Sequence, residues 1–338
     1  MINVKTYDNI RNNIFTVNED NFEAVAIEVF NYQYTNNAIY RKYCDLTIRD
    51  ISTIKSLHEI PFLPIQFFKT QEITTGTFSA EAVFESSGTT GSINSKHYVK
   101  DLNWYTKSFL EGFDLFYGNI ETYCILGLLP SYLERKNASL VYMVDALIKK
   151  SKNELSGFHL YDHKKLQEII KNNEENKQKT LLIGVSYALL DFAENFPMKL
   201  NHTIVMETGG MKGKREEMTK QALHQALIKQ FEVEHIHSEY GMTELLSQAY
   251  SFGKGIFKTP PWMKILLRSE DNPLQTLPNT LKEHETQRGV VNVIDLANID
   301  SCSFIATEDT GVKYSDGSFE ITGRLNNSDI RGCGLMIV

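Results

Sequence analysis

The sequence lacks the features that mark several large protein classes. Its only cysteines are Cys44, Cys124, Cys302 and Cys333, and they form no CxxC pair and no spacing typical of a zinc site. This excludes a disulfide-stapled secreted scaffold and a zinc-finger module. Unpaired thiols are typical of a reducing compartment, so we expect a cytoplasmic protein.

Long apolar runs and an excess of positive charge are also missing. The start, "MINVKTYDNIRNNIF", has no apolar signal-peptide core, and the longest apolar run, "YCILGLLP", has the length of a strand. We therefore expect no membrane span. Lys and Arg number 35 against 42 Asp and Glu, which gives a net charge of −7. Nucleic acid is a disfavoured partner, because phosphate binding needs a basic face.

Strands that alternate with helices dominate the middle of the sequence. Strand-like runs such as "TLLIGVS" and "HTIVMETGG" are each followed by a helical pattern, the second by a charged helix over 214–231. Apolar spacing also predicts a helix over 20–43. The alternation predicts an α/β protein with a mostly parallel sheet and flanking helices. After residue 255 short β runs follow one another. We thus expect an α/β core over 1–254 and a β-rich subdomain with a C-terminal tail over 255–338.

The stretch "FESSGTTGS" places serine, threonine and glycine directly after a predicted strand. Glycines let the backbone turn tightly and present N–H groups to an anion, and hydroxyls add further donors. This is the chemistry of a phosphate-binding loop, although the Walker pattern is absent. An ordinary strand-to-helix turn is the alternative. The candidate residues are Ser86, Ser87, Gly88, Thr89, Thr90 and Gly91.

A second candidate is "SEYGMTELLSQAYS", residues 238–251, which follows a strand. A turn at Gly241 would leave Tyr240, Thr243 and Glu244 at the C-terminal edge of the sheet, where ligands bind in open α/β sheets. The hydroxyl and the carboxylate could hold a nucleotide phosphate and its Mg²⁺. Alternatively, Thr243 and Glu244 satisfy free N–H groups at a helix N-terminus.

Two further turns carry weaker signals. In "ETGGMKGKREEM", Thr208, Gly209 and Gly210 would let the backbone lie against a flat ring, or form a simple strand-to-helix turn. In "TEDTG" and the later "TGRL", we expect Asp309 and Arg324 in β-turns. A carboxylate and a guanidinium together can bind a ribose diol, but Asp-Gly and Gly-Arg turns are also common without any ligand.

Taken in order, these motifs resemble the adenylate-forming ligases, the acyl-CoA synthetase-like superfamily. The segments "EIPFLPIQFFKT", "ESSGTTG", "ETGGMKGK", "TPPWMK", "TEDTG" and "RGCG" narrow the resemblance to the acyl-protein synthetases of the LuxE family, from about residue 20 to the end. "PPW" and the terminal "GC" are its more specific parts. The resemblance implies ATP and Mg²⁺ as cofactors and the large N-terminal domain of the superfamily, without its full C-terminal lobe.

By this resemblance each motif has a role around the nucleotide. Residues 86–91 hold the ATP phosphates, and residues 208–210 line the adenine. Residues 240–244 hold the α-phosphate region, with Glu244 on Mg²⁺. Asp309 and Arg324 hold the ribose.

The resemblance also identifies the thiol that accepts the acyl group. Cys333 matches the LuxE cysteine that accepts the acyl group, and it lies between two glycines near the end of the sequence. This implies an ATP-dependent acyl-protein synthetase for a carboxylic acid, with an acyl reductase or acyltransferase as a protein partner. The 19 Phe and 16 Tyr favour an apolar acid, and the resemblance implies a fatty acid. An acyl-CoA or acyl-carrier ligase, and a catalytically silent nucleotide-binding protein, are the alternatives.

Overall fold

The computed structural model describes residues 4–48, 50–86, 93–130, 135–209, 218–278 and 281–325. Its α-helices are, in chain order, α1 (Val4–Ile14), α2 (Phe22–Asn36), α3 (Ala38–Thr47), α4 (Phe67–Thr70), α5 (Leu102–Tyr117), α6 (Ser139–Ser151), α7 (His163–Glu175), α8 (Ser186–Asn195) and α9 (Lys220–Phe231). Among the helices in these ranges, none is both long enough and apolar enough to cross a bilayer.

The strands run through the whole described chain. In order they are β1 (Leu63–Pro64), β2 (Ala82–Glu85), β3 (Lys96–Val99), β4 (Cys124–Leu128), β5 (Gly157–Phe158), β6 (Thr180–Gly184), β7 (Thr203–Glu207), β8 (His237–Tyr240), β9 (Ala249–Ser251), β10 (Phe257–Lys258), β11 (Met263–Arg268), β12 (Thr286–Asp295), β13 (Phe304–Tyr314) and β14 (Phe319–Arg324).

The chain divides into two compact units that are interleaved along the sequence. The first takes Met1–Phe109, Met242–Gln248 and Lys258–Glu320, and the second takes Leu110–Gly241, Ala249–Phe257 and Ile321–Val338. These units follow packing rather than chain order. The division into domains over 1–254 and 255–338 stays a prediction.

The second unit is built on a parallel sheet. Its strands lie in the order β9-β8-β7-β6-β4-β5, and all neighbours are parallel except β8 and β9. Strands β4 and β6 are buried along their whole length, as expected for a sheet covered on both faces. Apolar side chains of α7, α8 and α9 form one core with these strands. The predicted mostly parallel α/β sheet is confirmed.

Two local features explain how helices follow strands in this unit. Gly184 ends β6 where an added Cβ would lie 2.7 Å from the Cβ of Leu128, so only glycine fits between these strands. Thr219 caps α9, because its side chain accepts a hydrogen bond from the N–H of Ala222 over 3.1 Å. The helix predicted over 214–231 therefore begins at Lys220, and residues 214–217 lie outside the described residues.

The first unit contains residues 258–320, most of the predicted β-rich region. Strands β11, β12 and β13 are antiparallel neighbours, and the short β1 pairs with β13 in parallel. The rings of Phe30, Tyr40 and Phe62 lie 6.1–6.2 Å from that of Phe304, which anchors the helices on this sheet. Each such buried ring contributes about 1.5–3 kcal/mol relative to exposure.

The single helix predicted over 20–43 is wrong, because the chain breaks at Asn37. This residue is extended (φ −109°, ψ 107°), and its side chain accepts from the N–H of Tyr40 over 2.9 Å, which caps α3. Its amide nitrogen donates to the carbonyl of Ser301 over 3.0 Å. A buried asparagine thus ends one helix and starts the next while tying both to the β-rich region.

Candidate functional site

The serine/threonine loop connects two antiparallel strands rather than a strand and a helix. Glu85 of β2 lies opposite Lys96 of β3. Beyond that pair, the N–H of Ser86 donates to the carbonyl of Ser95 over 3.0 Å, and the hydroxyl of Ser86 accepts from the N–H of Ser95 over 2.9 Å. Ser86 therefore clamps the base of a hairpin. Residues 87–91, which include the other five predicted phosphate-binding residues, lie outside the described residues.

The T-G-G turn leaves the carboxyl edge of the parallel sheet at the end of β7. Its Thr208 N–H donates to the carbonyl of Gly184 over 3.1 Å. Gly209 has a φ of +75°, a conformation that side chains disfavour. The Gly209 N–H donates to the carboxylate of Glu207 over 2.7 Å. The preceding glutamate thus fixes the turn. Gly210 lies outside the described residues.

Glu207 is buried and lies at the centre of a charged cluster. Its carboxylate lies 2.9 Å from the ammonium of Lys220 and 3.4 Å from Nε2 of His224. Burial alone would raise the pKa of Glu207, but Lys220 and His224 bring it well below its usual range. Burial, and then the charge of Glu207, raise the pKa of neighbouring Glu239 to about 8. One carboxylate is thus charged and the other protonated at neutral pH.

Tyr240 and Gly241 lie at the same edge of the sheet as the T-G-G turn. Strand β8 runs parallel to β7, with Glu207 opposite Ser238, and both strands end at this edge. The ring of Phe257 links the two segments, since it lies 5.8 Å from the ring of Tyr240 and 4.4 Å from the ammonium of Lys220. Within the second unit, the predicted adenine turn and the start of Y-G-x-T-E are therefore brought together.

In the first unit, Thr243 and Glu244 are held by their backbone carbonyls. Nδ1 of His97 lies 2.8 Å from the Thr243 carbonyl, and the amide nitrogen of Asn298 donates to the Glu244 carbonyl over 2.8 Å. Nε2 of His97 also contacts Oδ1 of Asn298 at 3.0 Å. Burial lowers the pKa of His97, against the opposing effects of Thr243, Glu244 and Asn298. His97 and Asn298 thus fix the backbone that carries the Glu244 side chain.

The residues after Glu244 are held by a second buried carboxylate. Asp295 accepts from the N–H groups of Leu246 and Ser247 over 2.8 and 2.9 Å, and from the Ser247 hydroxyl over 2.6 Å. The indole N–H of Trp262 donates to the same hydroxyl over 3.0 Å. Asp295 and Asn298 thus hold residues 244–247 in place although these residues form no regular helix. The alternative in which Thr243 and Glu244 cap a helix N-terminus is therefore wrong.

The side chain of Glu244 has the chemistry of a magnesium ligand. Glu244 is fully buried and supplies carboxylate oxygens, the ligands that Mg²⁺ prefers. Within the described ranges no group of three metal-binding side chains exists. A Mg²⁺ bound at Glu244 would need further oxygen ligands, and in many nucleotide-dependent enzymes phosphate oxygens and water supply them.

The predicted turn positions of Asp309 and Arg324 are wrong, because both residues lie in strands. Asp309 is buried in β13 beside the register shift at Val290/Asn292, and its N–H donates to the Thr307 hydroxyl over 3.1 Å. Arg324 is the last residue of β14. The Thr-Glu-Asp-Thr-Gly composition is typical of a turn. Here these residues instead form an irregular part of the long strand β13. Their ribose-binding roles stay predictions.

Three of the cysteines are poor nucleophiles. Cys44, Cys124 and Cys302 are fully buried and not disulfide-bonded. Burial raises the pKa of Cys44 to about 12 and also raises those of Cys124 and Cys302, so their thiolates are scarce at neutral pH. Cys333 lies outside the described residues.

Several residues that build the site were not singled out from the sequence. They are His97, Glu207, Lys220, His224, Glu239, Asp295 and Asn298. A usable signal exists for Glu207, the one charged residue of the apolar strand "TIVME" before the T-G-G turn. Asn298 and His97 lie in ordinary-looking segments far from the motif that they support, so only the fold reveals them.

The fold is that of the adenylate-forming ligases. The chain is similar to a 2-hydroxyisobutyryl-CoA ligase in complex with 2-HIB-AMP and CoA (TM-score 0.63, 11% identity, 95% of this chain and 72% of that chain). It is also similar to ATP-bound MatB from Rhodopseudomonas palustris (TM-score 0.53, 13% identity, 81% of this chain and 50% of that chain). At such identities the likeness concerns the fold. The chain spans half the length of MatB.

The family is defined by the sequence itself. Residues 15–338 match the family model described as acyl-protein synthetase, LuxE, and the chain belongs to this family. A comparison with curated proteins found no match. The resemblance drawn from the motifs and the predicted fold class are both confirmed.

Proposed function

We propose that the protein is an ATP-dependent acyl-protein synthetase, which activates a fatty acid as acyl-AMP and transfers the acyl group to the thiol of Cys333. The structural observation that carries the proposal is the placement of Thr208-Gly209 and Tyr240-Gly241 at one carboxyl edge of a parallel sheet. In open α/β sheets this edge is where nucleotides bind. Membership of the acyl-protein synthetase family supports the acyl chemistry.

In the proposed first step a carboxylate oxygen of the acid attacks the α-phosphorus of ATP. A new P–O bond forms, the bond from this phosphorus to the bridging oxygen breaks, and pyrophosphate leaves. The loop at residues 86–91 would bind the phosphates, and the fixed turn at Gly209 would present the adenine with a flat backbone surface. Asp309 and Arg324 would hold the ribose. A Mg²⁺ held by Glu244 would supply positive charge against the phosphate oxygens.

The proposed second step moves the acyl group to sulfur. The thiolate attacks the acyl carbon, the C–S bond forms, the C–O bond to AMP breaks, and the thiol proton passes to solvent. An acyl-adenylate is a reactive mixed anhydride, so two moderate barriers replace one high barrier. The raised pKa values of the three buried cysteines argue against them as acceptors and in favour of Cys333.

Carboxylate-dependent exchange of pyrophosphate into ATP tests the first step. The protein is incubated with ATP, Mg²⁺ and acids from acetate to hexadecanoate. We expect exchange that increases with the length of an apolar acid. Absence of exchange with every acid would favour a catalytically silent nucleotide-binding protein.

A second candidate function differs only in the acceptor of the acyl group. The similar 2-hydroxyisobutyryl-CoA ligase was solved with CoA, which favours an acyl-CoA ligase as the alternative. Intact-protein mass spectrometry separates the two. The acyl-protein synthetase gains one acyl mass that hydroxylamine removes, whereas the CoA ligase leaves its own mass unchanged and forms acyl-CoA.

A further inference from the structure

Glu239 is a buried glutamate to which the proposed reaction assigns no role. It lies in β8, directly before Tyr240 and Gly241 at the carboxyl edge of the sheet, and it is 7% exposed. No described residue forms a hydrogen bond with its side chain. Buried polar groups in proteins normally have a hydrogen-bond partner. A buried carboxyl group without one, at an edge where ligands bind, therefore indicates a partner that is not part of the chain.

The strand geometry decides which face of the sheet carries this carboxyl group. Ser238 contacts His224 of α9, and successive side chains of a strand alternate, so Glu239 points away from α9. Tyr250 of β9 lies directly opposite Glu239, and the two side chains share a face. The ring of Tyr250 lies 5.4 Å from that of Tyr117 in α5. Aromatic rings thus flank the carboxyl group on its own face of the sheet.

Burial and neighbouring charges decide the protonation state of Glu239. Burial disfavours the ionised carboxylate, and the charge of Glu207 on the adjacent strand disfavours it further, whereas Lys220 acts in the opposite direction. The pKa of Glu239 therefore rises to about 8. A carboxylic acid that its surroundings keep neutral can donate a hydrogen bond to an anion. At neutral pH Glu239 is such a donor.

We propose that Glu239 donates a hydrogen bond to the carboxylate of the acid substrate and orients this carboxylate for adenylation. The inference rests on the proposed function, in which every substrate brings a carboxylate to the α-phosphorus beside the segment that begins with Tyr240 and Gly241. Glu239 directly precedes that segment. A hydrogen bond from a carboxylic acid to a carboxylate is charge-assisted and stronger than one between neutral groups. It holds one oxygen of the substrate and leaves the other free to attack phosphorus.

Other titratable side chains surround this carboxyl group on the neighbouring elements. They are Glu207, Lys220, His224, His235, His237, Tyr117 and Tyr250. Burial raises the pKa of Tyr117, and burial followed by the charge of His235 lowers that of His237 to about 4. Against the effect of burial, Lys220 keeps the pKa of Glu207 well below its usual range. The neighbours with shifted pKa values therefore do not titrate near pH 8.

Acid binding should consequently depend on pH through Glu239. This residue loses its proton as the pH rises through about 8. Below that pH its O–H group donates to the substrate carboxylate, and above it two like-charged carboxylates repel each other. Affinity for the acid therefore falls between pH 7 and 9.5. An alcohol with the same alkyl chain lacks the carboxylate, so its affinity should not change in this range.

Calorimetry with octanoate and octanol tests the proposal, with AMP present to fill the proposed nucleotide site without reacting. In wild-type protein the Kd for octanoate should rise at least fivefold from pH 7 to 9.5, while that for octanol stays constant. Glu239→Gln keeps a neutral donor, so octanoate should bind with near wild-type affinity at pH 7 and with little pH dependence. Glu239→Met should bind octanoate at least fivefold more weakly at pH 7. Glu234→Gln, exposed just before β8, is the control and should behave like wild type.

Three results would overturn the proposal: no octanoate binding by wild-type protein, unchanged octanoate affinity in Glu239→Met, or a wild-type pH profile in Glu239→Gln. If Glu239→Met does not fold, the pH profile of the folded Glu239→Gln decides.

Pyrophosphate exchange separates this proposal from the proposed function. In Glu239→Met the KM for octanoate should rise at least fivefold while the KM for ATP stays unchanged, a split that a merely structural role would not produce. A rise in the KM for ATP alone would contradict the role of Glu239. Absence of exchange with every acid would instead refute the proposed function, even if octanoate binding kept its dependence on Glu239.

Discussion

The side-chain amide of Asn298 donates to the backbone carbonyl of Glu244 over 2.8 Å and, with the same nitrogen, to the carbonyl of Cys302 over 2.9 Å. One buried side chain therefore joins the Y-G-x-T-E segment to the loop before β13. Its oxygen faces His97, which contacts the carbonyl of Thr243. Asn298 and His97 therefore hold the backbone that carries the proposed Mg²⁺ ligand.

Removal of this support should impair adenylation through Glu244. In Asn298→Ala two buried carbonyls lose a donor, at about 1–3 kcal/mol. We expect kcat for pyrophosphate exchange to fall at least tenfold and the Mg²⁺ concentration for half-maximal rate to rise. Asn103→Ala, at an exposed position in α5, is the control. A loss of thermal stability with unchanged Mg²⁺ dependence would assign Asn298 a purely structural role.

Glu244 itself can be tested with an isosteric change. Glu244→Gln keeps the shape of the side chain and removes its charge, so the Mg²⁺ requirement should rise at least fivefold while the midpoint of thermal unfolding changes little. Steady-state exchange across a Mg²⁺ titration measures this. Wild-type Mg²⁺ dependence in the folded variant would refute the metal-ligand role.

The T-G-G turn should depend on the ion pair between Glu207 and Lys220. In Lys220→Met the buried Glu207 loses its closest cation, and the turn at Gly209 loses the charge balance that supports it. We expect KM for ATP to rise at least fivefold, with the acid KM little changed. The double variant with Glu207→Gln should recover part of the loss, with a coupling of at least about 0.5 kcal/mol. If the effects of the two single variants simply add in the double variant, Glu207 and Lys220 act independently.

The raised pKa of Glu239 predicts how the stability of the fold changes with pH. Its pKa is about 8 in the folded chain and near 4.5 in the unfolded chain, chiefly because of burial. Between these values the folded state holds an extra proton, so the free energy of unfolding falls as pH rises, by at most about 1.4 kcal/mol per pH unit. Glu239→Gln should remove this decline in urea unfolding from pH 5 to 8. Glu175→Gln, exposed at the end of α7, should keep it.

The sequence predicted the scaffold better than the contacts that shape the site. Buried strands such as "TLLIG" and amphipathic helices leave clear periodic signals, and the parallel sheet follows from their alternation. The break between α2 and α3 at Asn37 was not predicted, because the local apolar pattern is helical. The capping by Asn37 and its hydrogen bond to the distant Ser301 outweigh that pattern. Asp309 was misplaced because turn-like composition is tolerated at a strand irregularity. His97, Asn298 and Asp295 act over long sequence separations, which no local pattern records.

The most direct test of the account is the fate of the acyl group in Cys333→Ser. Protein with ATP, Mg²⁺ and a labelled fatty acid is analysed by intact mass and by hydroxylamine release. Because adenylation precedes the thiol step, pyrophosphate exchange should stay near wild type while thioester labelling disappears; Cys124→Ser and Cys302→Ser should keep the label. Thioester labelling that persists in Cys333→Ser, or wild-type protein that never labels yet forms acyl-CoA rapidly, would contradict the account.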